Sequence, residues 1–225
     1  MLGSPPHPRP RHLLLMLALL VSLGTAWTQT ALADMAATAA SDEVSALIEA
    51  GAEVDARGDG GVTALMVAAE YNPDPEVTRI LLAGGADPNA RDESGVTPLM
   101  RAAWSNEQPS VIRALLNAGA DPNAINEQGL TPLMLAAWNN PNPQVIETLL
   151  AAGAEVNART EGGMTALMAA AVESANPEVV GALLAGGADA SLRDASGNRA
   201  IDLGIGNEAL RGSDAWLMLA TVTGD

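Results

Sequence analysis

The chain has 225 residues, with 11 arginines, no lysine, 27 carboxylates, no cysteine and a formal net charge of −16. That charge repels nucleic-acid phosphates and anionic membrane surfaces and favours encounter with a basic partner. Both histidines, His7 and His12, stand near the start, so beyond them Cys–His and Ser–His nucleophiles, lysine Schiff bases and zinc sites other than carboxylate-only ones are excluded.

At the start, Arg9 and Arg11 precede an apolar run from Leu13 to Leu23, the charge-then-apolar order of an export signal. Ala31 and Ala33 flank Leu32 in an A-x-A pattern, which places the expected cleavage after Ala33. The apolar run is shorter than the ~20 residues of a membrane span, so no membrane attachment is expected after cleavage. Removing residues 1–33 leaves nine arginines against 27 carboxylates, near −18 (9 − 27), in a periplasmic or secreted protein.

The rest of the chain repeats itself every 34 residues. Gly61-Val62-Thr63-Ala64-Leu65-Met66 returns as Gly95 to Met100, Gly129 to Met134 and Gly163 to Met168, and in degenerate form from Gly197. A second series, Gly51, Gly85, Gly119, Gly153 and Gly187, runs in register with it. Thr63, Thr97, Thr131 and Thr165 stand where an N-cap hydroxyl belongs, and Pro98 and Pro132 fit the first helical position. The paired alanines that follow, such as Ala102-Ala103, predict an inner, closely packed helix. A second helix begins at Pro75, Pro109, Pro143 and Pro177, with Asp74, Asn142 and Asn176 as caps and Gln108 as a poor one. Its apolar residues, for example Val111, Ile112, Leu115 and Leu116, share one face. Neither helix is long enough to stand alone, so stacking must stabilise both.

The expected organisation is residues 1–33 as signal peptide and 34–225 as one repeat domain. Within it, 34–60 is an N-terminal cap and partial repeat, with its inner helix reduced to Ala/Thr-rich sequence at 34–41. Residues 61–94, 95–128, 129–162 and 163–196 are full repeats, and 197–225 is a degenerate capping repeat sealed by a helix around Ser213 to Val222.

These units resemble ankyrin repeats, through Gly95 to Leu99, Gly129 to Leu133 and the Ala86-Asp87-Pro88-Asn89 and Ala120-Asp121-Pro122-Asn123 segments. The resemblance covers roughly residues 42–205 and implies an all-α-dominated solenoid in which each helix pair carries a projecting β-hairpin finger. Met66, Met100, Met134 and Met168 replace the family's usual histidine, so apolar packing must stand in for a threonine–histidine hydrogen bond.

A solenoid offers a continuous face to residues the fold does not constrain. The informative columns keep the period while the residue changes. They are Glu70, Trp104, Trp138 and Val172 directly after the alanine pair, and Val67, Arg101, Leu135 and Ala169 before it. By the resemblance these columns border the concave face, beside Tyr71. Tryptophan, tyrosine and arginine are frequent interface anchors, although the two tryptophans also suit packing between helices. Arg57, Arg91, Arg159 and Arg193, with Ile125 breaking their column, suit either partner carboxylates or pairing with Asp59, Asp92, Glu161 and Asp194 within the fold. The expected function is binding of a folded protein, with no catalytic residue, cofactor or metal. Two other readings stand beside it: an envelope polysaccharide hydrolase using two carboxylates, and a stress factor that holds clients loosely. Homo-oligomers stay open.

Overall fold

A computed structural model describes residues 27–223, with side chains from 32 to 222. The leader arginines and the Leu13–Leu23 run lie outside the described residues. The described chain forms six antiparallel helix pairs. They are α1 (Trp27–Ala36) with α2 (Ser41–Glu49), α3 (Ala64–Tyr71) with α4 (Pro75–Ala83), and α5 (Pro98–Ser105) with α6 (Pro109–Asn117). Then follow α7 (Pro132–Asn139) with α8 (Pro143–Ala151), α9 (Ala166–Glu173) with α10 (Pro177–Ala185), and α11 (Ala200–Leu203) with α12 (Asp214–Thr223). Odd-numbered helices stack on one another as the inner layer and even-numbered helices as the outer layer.

Local chemistry explains where the helices start. Thr63, Thr97, Thr131 and Thr165 each accept from the backbone N–H three residues on, at 3.2–3.4 Å. Asp74, Asn142 and Asn176 cap the outer helices by accepting from the second following N–H, while Gln108 makes no such bond. The outer helices end at glycines such as Gly119, whose φ of +91° is a left-handed conformation that a side chain would strain.

The core is the interface between layers and between repeats. The alanine pairs of α3, α5, α7 and α9 are fully buried, as are Leu65, Leu99, Leu133 and Leu167. Each of those leucines contributes about 1.5–3 kcal/mol by leaving water. Met66, Met100, Met134 and Met168 are buried as well, filling with a thioether the place the resemblance gives to histidine.

The first pair starts earlier than the Ala/Thr-rich stretch 34–41: its inner helix is α1, which packs on α3. At the other end Trp216 packs against the core, and Leu219 is buried while Leu217, Met218 and Val222 face outward.

The expected β-hairpin fingers are not formed. Among the described residues there is no β-strand, and the linkers are stacked turns. Several of their backbone donors are taken by side chains of the same or the preceding turn, which leaves too few for a ladder. Asp92 Oδ1 accepts from Ser94 and Val96 N–H, Asp87 Oδ1 accepts from Asn89 N–H, and Asn89 Oδ1 accepts from Asp121 N–H. Only single backbone bonds join successive turns, from Glu93 N to Gly60 O, Glu127 N to Ser94 O and Ala195 N to Gly162 O.

A buried asparagine column ties the repeats together. Asn72 Nδ2 donates to the carbonyls of Ala36 and Ala39, Asn106 to Ala69 and Asn72, and Asn140 to Ala103 and Asn106, all at 2.9–3.1 Å. Each Oδ1 also accepts from the N–H two residues on. Every polar atom of these amides is therefore partnered, which is what makes their burial affordable in free energy.

Candidate functional site

The turns and the inner helices together border two hollows on the same side of the stack. One encloses about 240 Å³ and is lined by Glu70, Val96, Arg101, Trp104, Gln128 and Leu135, among others. The other encloses about 440 Å³ and is lined by Gln128, Leu130, Trp138, Thr160, Glu161 and Met164, with Gly162. Leu130 follows Val96 by one period, and Trp138 follows Trp104 by one period. The two hollows are thus one feature in successive repeats, and Gln128 forms a wall of both. A third hollow, of about 400 Å³, lies between α6 and α8 and includes none of the expected site residues.

The tryptophans differ in exposure. Trp104 is 37% exposed, and Trp138 is half-buried and packed against the core. Tyr71 is 60% exposed at the end of α3. Its hydroxyl pKa is raised, first by its hydrogen bond to the Glu70 carboxylate and then by that group's charge. Of the remaining column members, Val172 is exposed, Val67 is half-buried against the core, and Leu135 and Ala169 are buried.

Arg101 is an internal strut. It donates to Glu70 Oε2 at 2.6 Å on the preceding inner helix and to Asp92 Oδ2 at 2.8 Å in the preceding turn. Burial alone lowers the pKa of its guanidinium, but hydrogen bonds and charge from Glu70 and Asp92 outweigh that and leave it raised. Its Nε–H is buried without a hydrogen-bond partner, a cost these two ion pairs must offset.

The turn arginines donate to backbone carbonyls of their own and the following turns. Arg57 Nη1 donates to the Gly61 and Arg91 carbonyls, and Arg91 Nη1 to those of Gly95 and Ile125. Arg159 donates to the Arg193 carbonyl and Arg193 to the Gly197 carbonyl. They staple each turn to itself or to the next. Gly163 shows how close that packing is, because a Cβ there would lie 2.7 Å from Arg159 Nη2.

Sequence reasoning did not single out Val96, Leu130, Gln128 or Met164 as lining. Gln128 carried a usable signal: its column is otherwise Gly60, Ser94, Gly162 and Ser196, so a long amide there breaks a run of small residues. Among the described residues no group of three or more His, Cys, Asp or Glu could hold a metal ion. No described helix is long and apolar enough to cross a membrane.

A stack of capped helix pairs with a row of hollows on one face defines a helical repeat solenoid, a class that presents extended surface in place of an enclosed pocket. A family model described as ankyrin repeats (3 copies) matches residues 13–92, 71–160 and 99–194. The chain belongs to the ankyrin-repeat family. Such repeats generally mediate protein–protein interactions, and proteins of the family are typically non-catalytic scaffolds. No curated protein matches the chain.

Proposed function

We propose that this chain is a protein-interaction module that works in the periplasm or outside the cell and seats a folded partner on the face bearing Tyr71, Trp104 and Trp138. The observation that carries this reading is the repetition of a tryptophan-lined hollow in two adjacent repeats with a shared wall at Gln128. Neighbouring inner helices pack about 8–10 Å apart, so the two hollows suit two protruding side chains of one partner. Aromatic residues in such positions commonly supply most of an interface's energy. The net charge of −16 and the exposed Glu127 and Glu161 beside the hollows favour a basic partner surface.

The location rests on Arg9, Arg11 and the apolar run Leu13–Leu23, whose order is that of an export signal. The test is affinity capture from native envelope extract with the wild type beside a Trp104→Ala, Trp138→Ala double variant. Loss of one discrete partner at unchanged helicity is the expected result. Full recovery of that partner by the double variant would sink the tryptophan-centred site.

A further inference from the structure

We propose that the export leader is cut between Ala26 and Trp27, so that Trp27–Ala36 remains in the mature protein as the inner helix of its first repeat. This rests on the export reading above and relocates the cut from the A-x-A pattern ending at Ala33. The asparagine column sets the register. Asn72 donates to the carbonyls of Ala36 and Ala39 as Asn106 does to those of Ala69 and Asn72.

That alignment places Leu32 in the column of Leu65, Leu99, Leu133 and Leu167. Leu32 is 1% exposed and those four are 0–1% exposed. It also sets Thr30-Ala31-Leu32 beside Thr63-Ala64-Leu65 and Thr165-Ala166-Leu167. Ala31-Leu32-Ala33 is therefore the opening of a repeat. A cut after Ala33 would divide α1, discard Leu32 and strip the cover from the side of α3 on which α1 packs. Gly24 and Ala26 offer the small residues a leader peptidase requires, and they stand directly behind the apolar run ending at Leu23. In the step itself water adds across the Ala26–Trp27 amide. The leader leaves with the new carboxylate on Ala26, and Trp27 keeps the new amino group.

The test is the intact mass and N-terminal sequence of the full chain expressed with its own leader in a Gram-negative host. A product beginning at Trp27 is expected, and one beginning at Asp34 overturns the proposal. Ala33→Met installs the residue found at Met66, Met100, Met134 and Met168, so it suits the fold while spoiling a cut after position 33. Its product should still begin at Trp27. Ala26→Leu should reduce the processed form at least tenfold. The reverse pattern in the two variants overturns the proposed cut but leaves export intact, whereas wild-type chain held unprocessed in the cytoplasm overturns the export reading and this inference with it.

Discussion

Arg101 reaches across to two carboxylates of the preceding repeat, and its removal has a cost that a surface pair lacks. The side chains of Arg101, Glu70 and Asp92 are 23%, 14% and 7% exposed, against 54% for both members of the Arg79–Glu76 pair. Arg101→Met keeps most of the volume but leaves Glu70 and Asp92 uncompensated. It should lower unfolding free energy by about 2–3 kcal/mol, below the range for fully buried pairs because some solvent still reaches this one. Arg79→Ala should change it by roughly 0.5 kcal/mol or less. Urea denaturation of the two variants side by side measures the contrast, and equal effects would mean that Arg101 is not a strut. At the asparagine column, Asn106→Ala strands the carbonyls of Ala69 and Asn72 and the N–H of Gln108. Even partly rehydrated, that loss should amount to about 2–4 kcal/mol, read as a lower denaturation midpoint with an unchanged slope.

At the scale of elements, helix starts were legible in the sequence because a cap is a local bond. Thr97 and the N–H of Met100 lie three residues apart, so composition at fixed spacing settles the matter. The turns were harder. The family resemblance implied hairpins, yet Asp87, Asp92 and Asn126 were present in the sequence as competitors for the same backbone donors, and in the structure they win. The acceptors that the turn arginines have within the fold were not legible for a related reason: they are carbonyls, which no residue letter encodes. The tryptophan column was visible as variation within a period, whereas the hollows became visible only once the turn residues folded over the inner helices. The last inner helix, α11, depends on one titrating cap. Asp202 accepts from the backbone N–H and the guanidinium of Arg199, which, first through the side-chain bond, lowers its pKa to about 2. A depressed carboxylate stabilises the fold above its unfolded pKa, near 3.9, and that contribution is lost as pH falls from there through about 2. Because the group is well hydrated, the effect is small after screening. Amide exchange at Ile201–Leu203 in wild type should accelerate between pH 4 and 2 beyond the intrinsic trend, and Asp202→Asn should show no such step.

For the whole molecule, stability is a sum over interfaces between neighbours, and these are unequal. The asparagine column breaks at Ser174, whose hydroxyl turns to the Asn176 carbonyl within its own loop. The arginine column breaks at Ile125, so no guanidinium staples that turn to the next. The backbone bond joining other successive turns is also absent between Gln128 and Glu161. All three gaps fall on one seam, between the layer of α7, α8 and the turn leading into them and the layer of α9, α10 and the turn leading into those, where the larger tryptophan-lined hollow opens. The seam retains Asn123 Nδ2 to Gly153 O and Asn176 Nδ2 to Pro141 O, but equivalent bonds from Asn89 and Asn142 also hold the intact interface before it, so they do not make up the difference. At about 1 kcal/mol per net hydrogen bond, the seam is weaker than its neighbours by roughly 3–4 kcal/mol. Native-state hydrogen exchange should therefore show helices α9 to α12 opening together at a lower free energy than α3 to α8. Ser174→Asn should restore two of the bonds and raise the protection of α9 and α10 selectively. Uniform protection across the seam in wild type would show that inner-helix packing alone sets the coupling between these repeats.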